Sequence, residues 1–178
     1  MADVAGEQLT WVQPARLHQA FELHASDDVV ATLRFDKRSL ATGETSNKRW
    51  TFNRQGFWRP SVTISVPDSD VTALFKPAWK GGGSLELPQG GALRFGAANF
   101  WRSQWEWSDG DANPLVHFKS NSRLMRTEGR VDIEAGARAV PELQLLVVLG
   151  WYLVILSSRD AAEAGSVAAA GAAGAAGS

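Results

Sequence analysis

The sequence predicts a mainly β fold: about twelve antiparallel strands closed into a barrel around a central hydrophobic C-terminal helix at about 141–158. Three observations predict it. Apolar and polar residues alternate with a period of two over most of the chain. Turn residues interrupt that alternation about every ten residues, the spacing of a barrel or sandwich of short strands. Near the C-terminus stands one apolar run, "LLVVLGWYLVIL", Leu145 to Leu156, that has no polar face.

The first clear unit is "FELHASDDVVATLRF". Phe21 and Leu23 share one face, Glu22 and His24 the other, and Ser26-Asp27-Asp28 supplies turn chemistry. Val29, Ala31, Leu33 and Phe35 then alternate with Val30, Thr32 and Arg34 as a half-buried strand. "LATGETSNK" reads as a polar loop that leads into a strand with Trp50 and Phe52 on one side. In "RPSVTISVPD", Val62, Ile64 and Val66 alternate with Ser61, Thr63 and Ser65. Pro60 suits an edge or bulge, and Pro67-Asp68 stops the run.

"VTALFKPAWKGGGS" is a short strand and a flexible loop, and Trp79 in that loop is a candidate exposed contact. Leu85 and Leu87 face Leu93 and Phe95 across a Pro-Gln-Gly-Gly turn. Trp101, Trp105 and Trp107 have one parity, so an unbroken strand would turn all three inward, and Asp109-Gly110 makes the next turn. Val131 and Ile133, opposite Asp132 and Glu134, close the series. Between Pro14 and Phe21, Ala15 to Ala20 offers at most one turn of helix.

The last element is "AVPELQLLVVLGWYLVILSSRD". Pro141 suits a first helical turn, and Glu142 complements the helix dipole. From Leu143 to Leu156 only Gln144 and the phenol of Tyr152 are polar. A helix apolar all round must be enclosed, by protein or by lipid. A membrane crossing needs about 20 apolar residues. This run is shorter, so it is expected to be a core helix carried by Leu145, Val148, Leu149, Trp151, Leu153 and Leu156. Gly150 inside it costs about 1 kcal/mol relative to alanine, which implies a close approach by a strand or a large side chain.

The domain reading follows: a flexible N-terminus at 1–7, a barrel with its helix at 8–159, and a disordered Ala/Gly-rich tail at 160–178. The 178 residues fit one domain. A formal net charge of -1 gives no global drive toward nucleic acid or an anionic surface. With no cysteine, the chain has no disulfides, thiolate nucleophiles or cysteine metal sites, as suits a cytoplasmic protein. The N-terminus "MADVAGEQLTWVQP" lacks the basic and apolar regions of a secretory signal.

Recognisable chemistry is sparse. His18, His24 and His117 are scattered and imply no metal site. "DGDAN" starts like a calcium loop. It then places Pro114 where that loop needs glycine and Ser120 where it needs glutamate, so a hairpin turn is the better reading. "KGGGS" is not followed by the Lys-Ser/Thr helix start of a phosphate loop, and no nucleophile elbow is present. Asp27-Asp28 and Asp68/Asp70 fall in expected turns. No catalytic residue, metal ligand or cofactor is therefore assigned. The positive charge is uneven: Arg34, Lys37, Arg38, Lys48, Arg49, Arg54 and Arg59 stand against Asp36 and Glu44. If neighbouring strands gather them, Lys37, Arg38, Lys48, Arg49, Arg54 and Arg59 form an anion-attracting face for a phospholipid headgroup or another phosphate. The alternating aromatics and cations of "KRWTFNRQGFWR" also suit single-stranded nucleic acid. Trp50 and Phe52 share a parity that points to the core, so nucleic acid is not favoured.

This order of elements, with "PELQLLVVLGWYLVIL" and the Trp-rich hairpin "WEWSDGDANPLVHF", resembles the tubby-like C-terminal superfamily over residues 8 to 158. That superfamily includes tubby proteins, phospholipid scramblases and LURP-one-related proteins. The resemblance implies a twelve-stranded barrel wrapped around a hydrophobic helix. It also implies a non-enzymatic protein that binds anionic phospholipid headgroups at a membrane surface. Two other functions stay open: a small-ligand-binding or catalytic barrel, and a tail anchor through 143–156.

Overall fold

A computed structural model describes residues 8–14, 19–56, 60–67, 69, 72–78, 81–123 and 126–175. Twelve strands form one closed antiparallel barrel in which every strand pairs with its sequence neighbour and β1 pairs with β12. They are β1 (Leu9–Val12), β2 (Ala20–Ala25), β3 (Asp28–Phe35), β4 (Leu40–Thr45), β5 (Arg49–Gln55), β6 (Ser61–Ser65), β7 (Thr72–Pro77), β8 (Gly83–Glu86), β9 (Ala92–Ala97), β10 (Gln104–Ser108), β11 (Pro114–Arg123) and β12 (Arg126–Ile133). A short 3-10 turn, Ala135–Ala139, then leads into helix α1, Leu143–Ala175. Closure leaves no free strand edge, which removes the usual route to edge-to-edge aggregation.

The period-two reading places most of the core correctly, although Val29, expected on the face of Ala31, Leu33 and Phe35, is half exposed beside the bulge at Leu23/His24. Phe21, Leu23, Ala31, Leu33, Phe35, Trp50, Phe52, Val62, Ile64, Leu85, Phe95, Trp105, Trp107 and Val131 all point inward and are buried. They meet α1, whose apolar residues from Leu143 to Leu156 are buried on every side, including all six expected axle residues. Trp151 stacks on Trp11 at 6.0 Å, and Tyr152 stacks on Phe35 at 5.5 Å. Wide rings fill the annulus between helix and wall that aliphatic side chains would leave open.

Small residues set how closely the wall approaches. Phe118 of β11 and Trp107 of β10 lie over Gly150, where a Cβ would stand 2.6 Å from Phe118 Cε2 and 2.8 Å from Trp107 Nε1. The glycine expected to admit a close neighbour thus admits two. Gly43 on β4 makes the reciprocal space for Val148.

Several readings need correction. "LATGET" is strand β4, not a loop; its inward residues, Ala41 and Gly43, are too small to register as apolar alternation. Leu9–Val12 is a strand that the periodicity left unassigned. Trp101 does not share the inward face of Trp105 and Trp107, because β10 begins only at Gln104 and Trp101 is 82% exposed in the preceding connection. Val66 lies past the end of β6 and is exposed. Helix α1 starts at Leu143, after Pro141, and does not stop near 158. It continues to Ala175 through the segment expected to be disordered, since alanine has the highest helix propensity and an established helix propagates easily. Trp79, Arg59, His18 and the 1–7 segment lie outside the described residues.

Candidate functional site

The antiparallel order gives the barrel two rims. At the lower rim lie the β2–β3, β4–β5, β6–β7, β8–β9 and β10–β11 connections and the start of α1. At the upper rim lie the β1–β2, β3–β4, β5–β6, β7–β8, β9–β10 and β11–β12 connections, and α1 emerges there. The two polar side chains of the axle find a partner at opposite rims. Thr45 Oγ1 donates to Gln144 Oε1 at 3.2 Å below, and Tyr152 Oη donates to the Ser39 carbonyl at 2.5 Å above. Burial raises the Tyr152 pKa, against the attraction of Arg54 and Arg159, so the phenol keeps the proton it donates.

The six candidate headgroup residues do not form one face. Lys37 and Arg38 sit in the β3–β4 connection, and Arg54 sits near the end of β5, where its N–H donates to Ser39 O at 3.2 Å; all three are at the upper rim. Lys48 and Arg49 sit at the β4–β5 turn of the lower rim. The length of β4 separates the groups by roughly 20 Å. Arg59 is not among the described residues. Arg49 Nε meets Glu44 Oε1 at 2.7 Å and Arg34 Nε meets Asp36 Oδ1 at 3.6 Å. At the upper rim the emerging helix brings its own carboxylates. Asp160 Oδ2 accepts from Arg54 Nη1 at 2.7 Å, and Glu163 pairs with Arg38.

The structure adds a cation that the sequence reading did not include. Arg159 donates to the Arg38 carbonyl at 2.8 Å and to Gln19 Oε1 at 3.3 Å, and its guanidinium lies 4.1 Å over the Phe35 ring. Its pKa is lowered, first by partial burial and then by the charge of Arg38. No local motif marks Arg159; only the helix pitch and the barrel length bring it to Arg38. Gln19, Arg38, Arg159, Ala162, Glu163 and Ser166 line an open recess of about 420 Å³ at this rim. Arg38, Arg54 and Arg159 thus gather where α1 emerges, with Asp160 and Glu163 paired to Arg54 and Arg38 beside them.

Elsewhere, among the described residues, no polar or charged residue is buried in the barrel. Interior catalysis or specific ligand recognition would need convergent polar groups there. The Asp109 carboxylate is engaged by its own turn: Oδ1 accepts from the Asp111 and Asn113 amides at 2.9 and 2.8 Å, and Oδ2 from Asn113 Nδ2 at 2.9 Å. This is a hairpin turn. On the outer wall His117 lies between Glu106 at 3.4 Å and Glu134 at 3.3 Å. By length and composition α1 could cross a membrane from Leu143 to Ser166, yet its apolar run is sealed inside the barrel.

Fold and site together define a class: a closed twelve-stranded antiparallel barrel on a hydrophobic helical axle, consistent with the tubby-like architecture. Comparison of the chain with protein-family models, with curated proteins and with solved structures finds no match.

Proposed function

We propose that this protein is a non-catalytic, tubby-like binding module that docks on anionic phospholipid headgroups at the cytosolic surface of a membrane, upper rim first. The observation that carries this is the opposite charge of the two rims. Among the described residues the upper connections hold Lys37, Arg38 and Arg102 against Asp36, a balance of +2. The lower ones hold Asp27, Asp109, Asp111, Glu134 and Glu142 against Lys48 and Arg138, a balance of -3. Such a polar molecule turns its basic end toward a negative surface even at a net charge of -1. Each cation near an anionic leaflet contributes about 1 kcal/mol. The exposed pairs Arg54–Asp160 and Arg38–Glu163 are weak enough, at about 0–1 kcal/mol each, to open toward phosphate.

Flotation with vesicles of phosphatidylcholine alone and of phosphatidylcholine with phosphatidylserine or a phosphoinositide tests the proposal at low salt. Binding only to the anionic vesicles is expected. Equal, negligible binding to all of them removes the lipid reading. The alternative of an interior ligand or catalytic site is disfavoured by an axle and aromatic rings that occupy the barrel.

A further inference from the structure

The most exposed large apolar residues described are Phe100 and Trp101, 90% and 82% accessible. Both sit in the β9–β10 connection on the upper rim. Their exposure is held by a well-bonded loop. Asn99 Oδ1 accepts from the amides of Ser103 and Gln104 at 3.0 and 3.1 Å, and Ala98 N–H donates to Gln104 O at 2.8 Å. Trp105 Nε1 donates to the Arg102 carbonyl at 3.1 Å, which ties the loop to a core tryptophan. Arg102 holds φ 52°, a left-handed conformation unfavourable for a residue with a Cβ. The loop therefore holds two aromatic rings out into solvent, edge to face at 5.5 Å, at a cost in hydration and backbone strain.

We infer that Phe100 and Trp101 are an interfacial anchor: the pair enters the headgroup zone of a bilayer and sets the depth and tilt at which the upper rim sits. This rests on the proposed docking of that rim and adds the apolar half of the contact. Tryptophan and phenylalanine on an exposed rim connection suit the boundary between headgroups and acyl chains, where apolar and amphipathic rings sit between water and hydrocarbon. A protein partner would instead favour aromatics at the centre of a flat patch ringed by polar residues. Charge complements the choice, since Arg102 follows the pair directly. The Arg102 guanidinium lies beside Gly81 of the β7–β8 connection, so the two connections are in contact.

The test uses the full chain, whose lack of cysteine permits single-site labelling. An environment-sensitive dye is placed at Ala98→Cys on the upper rim or at Gln89→Cys on the lower rim, and phosphatidylcholine–phosphatidylserine vesicles are added. A blue shift at 98 and none at 89 is expected. In parallel, Phe100→Ser/Trp101→Ser should weaken vesicle affinity by about tenfold or more with an unchanged thermal midpoint, as expected for the loss of at least one buried aromatic contact. Vesicle binding that survives the double substitution unchanged, with no shift at 98, overturns the anchor and leaves rim docking in place. No vesicle binding by the unsubstituted chain overturns both. A dimer in solution that the double substitution dissociates assigns the pair to a second copy of the chain and overturns the anchor as well.

Discussion

Gly150 separates local propensity from tertiary packing. Helix propensity alone makes Gly150→Ala stabilising by about 1 kcal/mol. In the barrel the added methyl meets Phe118 and Trp107, and the indole is not free to retreat because its Nε1 donates to Leu146 O at 2.9 Å. Overpacking of this kind costs about 1–3 kcal/mol, so a net loss of stability is expected in urea unfolding. A raised midpoint would refute the packing account. Asp109 gives a second residue-level prediction. Its pKa is lowered, chiefly by the side-chain hydrogen bond from Asn113 and then by the backbone amides. A lowered folded pKa means stability that is present above the unfolded value and lost as pH falls through the folded one. Thermal unfolding of the wild type should therefore depend more steeply on pH below about 4 than that of Asp109→Asn, which should already be less stable at neutral pH. Parallel pH profiles would show the turn to be energetically idle. An unusual glycine and a turn-forming "DG" are both legible in a sequence. Which rings press on the glycine is not, since they come from strands some 30 to 40 positions away.

Among the elements, the axle was the more legible and β4 the less. An all-apolar run shorter than the roughly 20 residues of a bilayer crossing has few places to go, and Leu143 to Leu156 went inside. Val148 faces Gly43 and is fully buried. An unpaired carboxylate there costs several kcal/mol, so Val148→Asp should leave the whole domain unfolded by circular dichroism and proteolysis. A folded, soluble Val148→Asp protein would mean that the helix is an appendage and not the core. β4 escaped notice for the same reason that the axle works: its inward side must be small where Val148 and Phe52 crowd it. Small residues carry little hydrophobic signal. The helix beyond Ser157 shows the converse. Its first turns are tied to the rim through Arg159, Asp160 and Glu163, and the Ala-rich composition beyond favours the helix by propensity.

For the whole molecule the relevant quantity is the separation of charge between the rims. Lys37 and Arg38 lie on the opposite rim from Lys48 and Arg49, farther apart than the roughly 8 Å screening length at physiological salt, so the two groups act independently on a surface. Lys37→Glu/Arg38→Glu should then weaken binding to anionic vesicles several-fold, and Lys48→Glu/Arg49→Glu should leave it nearly unchanged. Binding should also fall as salt rises. Equal effects of the two reversals in co-sedimentation would contradict an oriented docking. By itself the sequence determined the barrel class, most of the inward set of aromatic and branched residues, and the axle, because burial follows from local period and length. It could not decide which cations meet. Arg159 reaches Arg38 and Asp160 reaches Arg54 only because a helix threading the barrel emerges beside the β3–β4 and β5 ends, and Lys48 and Arg49 are carried to the far rim by one strand length. Those distances are set by closure and register, which couple residues more than a hundred positions apart, and no local pattern encodes them.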